Sequence, residues 1–174
     1  MVYTVTIPIP ETVQVSMTDD LLKVKGPLGE LERMMLYPNI IIEIQDDSLQ
    51  ISTLSTRKAV YAMAGTFASH VRNMCTGVTE GYELSMKVVY SHFPIQLKLH
   101  PGLLEIGNFL GEKMVRNAKI PDGVEVKVGS DELSLKGIDK EKVGNAAANI
   151  EKATKIRKRD PRVFQDGIYR VERV

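Results

Sequence analysis

The chain repeats itself, and that repeat limits its architecture before any single element is assigned. Residues 13–34 (VQVSMTDDLLKVKGPLGELERM) lie over 95–116 (IQLKLHPGLLEIGNFLGEKMVR) at an offset of 82. Gln14/Gln96, Leu21/Leu103, Leu22/Leu104, Leu28/Leu110, Gly29/Gly111 and Glu30/Glu112 are identical, and the apolar positions fall in step. After a two-residue shift, 42–52 lies over 126–136, pairing Asp47 with Asp131 and Leu49 with Leu133. Residues 56–74 then lie over 140–158, with Ala62/Ala146 and Ala64/Ala148 in one register. A unit of about 80 residues is too long for a solenoid repeat and suits a duplicated small domain.

Within the first copy, alternation of apolar and polar residues predicts strands at 13–17, 21–25, 31–36, 40–44 and 49–53, after an extended lead-in. Asp19-Asp20, Gly26-Pro27-Leu28-Gly29 and Tyr37-Pro38-Asn39 supply the turn chemistry between them. From Thr56 the period changes to about 3.6, and Val60, Met63, Ala64, Phe67, Val71 and Met74 form the apolar stripe of a helix. Ser55 or Thr56 is its expected N-cap and Gly77 its expected C-terminal cap. A helix with one apolar stripe must lie across a sheet. The expected fold class is therefore α+β, with two duplicated small domains, each an antiparallel sheet with one packed helix. The first spans 1–80 and the second 81–174, which carries a basic extension.

The bulk composition is that of a soluble globular protein: 174 residues, 43% apolar and 26% charged. One cysteine, Cys75, excludes an intramolecular disulfide, so a reducing, cytoplasmic setting is expected. The N-terminus lacks the pattern of a signal peptide, and no apolar run approaches the ~20 residues of a membrane span. Neither a membrane nor DNA is an expected partner.

Charge is concentrated at the C-terminus. Residues 151–174 hold eight Lys or Arg and four acids, a net of +4; of 23 basic and 22 acidic residues in all, 15 and 18 remain upstream, a net of −3. A segregated cationic end is the footprint of a polyanion. Lys152, Lys155 and Arg159 recur at intervals of three and four, so a second helix continuing past them has one cationic edge, to which Arg157 and Lys158 add charge. Pro161 is expected to end that helix by excluding the α conformation at Asp160. Beyond it, Arg162, Gln165, Tyr169, Arg170 and Arg173 offer guanidinium, amide and phenol groups suited to phosphate, sugar hydroxyl and splayed-base contacts. The aromatic strand of an RNA-recognition module is absent, so stacking on single-stranded bases is not the expected mode. The same basic end also fits a scaffold that docks an acidic protein partner.

Catalysis has little to draw on. His70, His92 and His100 show no metal-ligand spacing with Cys75. Cys75, near a helix C-terminus, sits where the dipole disfavours a thiolate. Gly26-Pro27-Leu28-Gly29 lacks the Lys-Ser/Thr of a phosphate loop. No enzyme and no cofactor are expected.

VKGPLGEL at 24–31, GTFASHVRNMCTGVTEGYE at 65–83 and NFLGEK at 108–113 form one set with the closing pattern Ile156, Arg159, Arg162, Phe164, Asp166-Gly167, Ile168, Tyr169. Through these motifs, spread over nearly its whole length, the chain resembles the family of large-ribosomal-subunit protein six, in its archaeal and eukaryotic branch. Lys152 stands where that pattern usually has Gln, and Arg170 where an aliphatic residue is usual; both departures add positive charge. The resemblance implies a structural constituent of the large ribosomal subunit. It would bind large-subunit ribosomal RNA near the translation-factor-binding region and the stalk base. Neighbouring ribosomal proteins are its implied partners, with translation factors passing nearby.

Overall fold

The computed structural model describes residues 3–45, 47–160 and 162–171. The chain divides into two compact units, Met1–Gly81 and Tyr82–Val174. The first runs β1 (Tyr3–Pro8), β2 (Gln14–Thr18), β3 (Leu21–Gly26), β4 (Gly29–Met34), β5 (Ile41–Gln45), β6 (Ser48–Thr53) and α1 (Lys58–Thr79). The second runs β7 (Tyr82–Val89), β8 (Gln96–His100), β9 (Leu103–Gly107), a 3₁₀ turn (Phe109–Gly111), β10 (Arg116–Lys119), β11 (Val124–Val128), β12 (Glu132–Gly137), α2 (Lys140–Ala153) and β13 (Gly167–Arg170). Among the described residues all strand pairs are antiparallel and each unit has one α-helix, as the α+β reading expects.

Each unit divides its strands between two sheets. The meander β2-β3-β4 has its counterpart in β8-β9-β10, and β1-β6-β5 has its counterpart in β7-β12-β11, to which β13 adds a fourth strand. Turn chemistry sets the first meander. Asp19 and Asp20 both take left-handed φ between the paired Thr18 and Leu21, which matches the twist a two-residue hairpin requires. Gly26 pairs with Gly29 around Pro27-Leu28. A Cβ at Gly26 would come within 2.6 Å of Val78 Cγ2 and 2.8 Å of its carbonyl oxygen, so only glycine lets β3 end against α1.

The duplicated cores match side chain for side chain. Leu22 and Val24 on β3 correspond to Leu104 and Ile106 on β9, and Leu49 and Ile51 on β6 to Leu133 and Leu135 on β12; all eight are fully buried. At about 25 cal/mol per Å2 of apolar area, burying such side chains is worth roughly 1.5–3 kcal/mol each. This stripe holds α1 and α2 down through Ala64, Phe67 and Val71 in one case and Val143, Ala147 and Ile150 in the other.

Four expectations are corrected in detail. The lead-in is strand β1, paired with β6 and anchored by the buried Ile7. Helix α1 begins after Arg57, which has no side-chain cap, although Ser55 Oγ accepts the Arg57 N–H at 3.3 Å. Gly77 is a buried residue inside the helix rather than its cap. The chain turns instead at Gly81, at φ 75°, with both the Glu80 and Gly81 N–H groups donating to the Thr76 carbonyl. The two helices also match one residue out of the sequence register: Ala62 is exposed whereas Ala146 is buried, because core facing rather than residue identity sets the helical phase.

Candidate nucleic-acid interface

A fifth correction concerns the basic segment. Helix α2 is capped at its start by Asp139, whose side chain accepts the Glu141 N–H at 2.9 Å, and it ends at Ala153. It does not continue through Lys155, Arg157, Lys158 and Arg159 to Pro161, which lies outside the described residues. Thr154 explains the early stop. Its buried hydroxyl donates to the carbonyls of Ile150 (3.2 Å) and Glu151 (3.3 Å) and accepts the Ile168 N–H at 3.2 Å. One side chain thus closes the helix and ties it to β13. Ile156 then packs against the core, which an uninterrupted helix would not allow. Lys158 takes a left-handed φ of 59°, so the cationic run is an irregular turn.

The chain returns through β13. Asp166 is buried, and its Oδ2 accepts the Ser91 N–H at 3.3 Å. Ile168 enters the core while pairing with Val88 on β7. The segment from Lys155 to Asp166 is thereby held at both ends and encloses, with the end of α2, a groove of about 700 Å3. Five of the ten expected RNA-binding residues line it: Lys152, Lys155, Arg157, Gln165 and Tyr169. Ile156 and Phe164 give it apolar wall.

The other five stand elsewhere. Arg159 lies over the Phe164 ring, 4.8 Å from its centroid. Arg162 is turned back on Asp160, Nη2 to Oδ2 at 3.0 Å, and that hydrogen bond holds the Asp160 carboxyl below its usual range. Arg170 is paired with Glu151 at 2.9 Å, so the charge it adds is locally balanced. Lys158 is exposed on the turn, and Arg173 lies outside the described residues. By contrast, among the described residues no acid forms a salt bridge with Lys152, Lys155, Arg157 or Lys158. The uncompensated charge therefore collects at the groove and the adjoining turn.

Sequence reasoning missed Arg116. Its Nε and Nη2 donate to the two Glu112 carboxylate oxygens at 2.9 and 2.7 Å, and its Nη1 donates to the carbonyls of Ala153 (2.9 Å) and Lys155 (3.3 Å). The guanidinium also lies 4.3 Å from the Phe109 ring centroid. It satisfies carbonyls at the open end of α2 and shares a smaller cavity with Lys152, Lys155 and Arg157. The repeat placed Arg116 opposite the exposed Met34. Strand pairing shows its true counterpart: Val24 faces Leu31 in the first unit, and Ile106 faces Arg116 in the second. Counted between these equivalent pairs, the connection from Ile106 to Arg116 is three residues longer than that from Val24 to Leu31. Only the Glu112/Arg116 spacing hinted at the pair.

No group of three or more His, Cys, Asp or Glu capable of holding a metal occurs among the described residues. Cys75 is buried, and burial pushes its thiol up, away from the thiolate.

A family pattern described as "Ribosomal protein L6" matches residues 9–81 and, again, 102–167. A protein named "Large ribosomal subunit protein uL6" from Methanospirillum hungatei is 60% identical over 167 residues, 96% of this chain and 95% of its own. Its namesakes from Methanosarcina mazei, 51% identical over 97% of this chain and 96% of theirs, and Methanothrix thermoacetophila, 50% identical over 95% of this chain and 94% of theirs, match as fully. The two matched segments fall one in each copy of the repeat, and the chain belongs to the ribosomal protein L6 family, in its archaeal branch.

Proposed function

We propose that this chain is a structural, non-catalytic constituent of the large ribosomal subunit in the cytoplasm. In this reading its second unit holds large-subunit ribosomal RNA through the groove between α2 and β13, near the translation-factor-binding region and the stalk base. Neighbouring ribosomal proteins share the site and translation factors pass close by. The observation that carries the reading is the gathering of Lys152, Lys155 and Arg157 on one groove without acidic partners among the described residues. Such a cluster neutralises phosphates and releases their counterions, whereas the paired Arg162 and Arg170 must first exchange Asp160 and Glu151.

Binding of the full chain to deproteinised large-subunit RNA, titrated across salt concentrations, tests this. The affinity is expected to fall linearly on logarithmic axes. Ala at Lys152, Lys155 or Arg157 is expected to reduce the slope by about one each. A slope near zero, or co-purification of an acidic protein without RNA, overturns the reading in favour of a protein-docking scaffold.

A further inference from the structure

We propose that Tyr169 is a preformed stacking platform for one unpaired RNA base, a finer claim that rests on the RNA-binding role given above. Along β13, Ile168 turns into the core and Tyr169 turns outward, on the same side as Gly167. A Cβ built at Gly167 would stand 2.9 Å from Tyr169 Cζ, 2.9 Å from its Oη and 3.0 Å from its Cε2. Three adjacent atoms of a planar phenol are equidistant at that range only from a point above the plane. The ring therefore lies flat on Gly167, and any side chain there would lift it. Its hydroxyl donates to the Gln165 carbonyl at 3.2 Å and to that of Asp166 at 3.4 Å.

A phenol backed by glycine on one face, pinned at its hydroxyl and still 47% exposed contributes little to the core. It does present an immobilised aromatic surface to the groove. Stacking on a ring that is already fixed spends little side-chain entropy. The surrounding chemistry fits a nucleotide: Lys155 and Arg157 line the same groove as the ring and stand ready for the flanking phosphates, and Gln165 lines it too, its amide nitrogen donating to the Arg162 carbonyl at 3.4 Å. The ligand class is thus a nucleotide extruded from a loop or bulge of folded RNA, which brings its base face to Tyr169. The sequence offered no strand of alternating aromatics, and one ring folded back on a glycine leaves no such pattern.

The chain contains no tryptophan, which makes the test direct. In the full-length Tyr169→Trp variant, emission from the single indole is expected to be quenched on adding deproteinised large-subunit RNA and to become shielded from acrylamide. Tyr169→Leu is expected to weaken binding to the same RNA by about 5- to 100-fold with the salt slope unchanged, and Tyr169→Phe to stay within about 3-fold of the native chain. Unchanged affinity in Tyr169→Leu, or an indole that remains fully quencher-accessible in the complex, overturns the platform while a salt slope in the native chain still upholds the RNA-binding role. Loss of that slope in the native chain overturns both. Should Tyr169→Leu melt early, the Trp and Phe variants carry the decision.

Discussion

Thr154 and Arg116 each hold several backbone groups with one side chain, and their substitution tests how far the C-terminal segment depends on them. Thr154→Val keeps the shape but leaves the Ile168 N–H and a helix-end carbonyl without their hydroxyl in a buried setting. A loss of about 1–3 kcal/mol is expected by denaturant unfolding, largely recovered in Thr154→Ser. Arg116→Leu installs the residue type its structural counterpart Leu31 carries, and tests the fork itself. The Arg116 hydrogen bond holds the Glu112 carboxyl below its ordinary value of 4.5. A carboxylate lowered in the folded state adds stability that is fully present above the unfolded value and lost as pH falls through the folded one. The deficit of Arg116→Leu is therefore expected to be flat above about pH 5 and to shrink in more acidic solution, read by urea unfolding across pH. Side chains with a single local partner were within reach of the sequence. These two were not, since Thr154 acts across 14 residues and Arg116 across 37 and 39.

The edges of the two equivalent sheets show how the copies diverged. Leu49 pairs with Ile7 and Leu133 with Met86, so β1 lies over β7. The match is confirmed just beyond, where the Ile9 N–H donates to the Asp47 carbonyl as the Val88 N–H does to that of Asp131. The amides of Lys87 and Val89 then point the other way, toward β13. Their counterparts in the first unit are Pro8 and Pro10, which have no amide to offer. Proline is an established means of closing a sheet edge to another strand. Replacing both, Pro8→Lys with Pro10→Val, is expected to open the edge and give concentration-dependent self-association by light scattering. In the second unit the edge is filled, and Ile168→Ala is expected to cost about 2–5 kcal/mol because it empties a fully buried site. Alternation, turn residues and the 3.6 period made most strands and both helices readable. The end of α2 was misjudged because Lys155 to Arg159 are good helix formers by propensity, and the tertiary anchor at Ile168 overrides them. Five groove residues were nonetheless legible as a charged and polar cluster, while the groove's shape depends on β13 pairing with a strand about 80 positions earlier.

Two separate buried clusters, one drawn from residues 7–78 and the other from 86–168, underlie the repeat. We therefore expect the fragment 82–174 to melt cooperatively on its own and to keep the salt slope of the full chain, and 1–81 to fold without that slope, as checked by calorimetry and RNA titration. A net charge of +1 conceals this division, since the acidic excess upstream offsets the C-terminal cations in any bulk measure such as the isoelectric point. One strand links the two properties. β13 places Ile168 in the core and, on the next residue, Tyr169 at the groove. Substitutions that disorder this strand therefore take a wall from the second core and a wall from the groove together, so the groove's shape is tied to the stability of the fold.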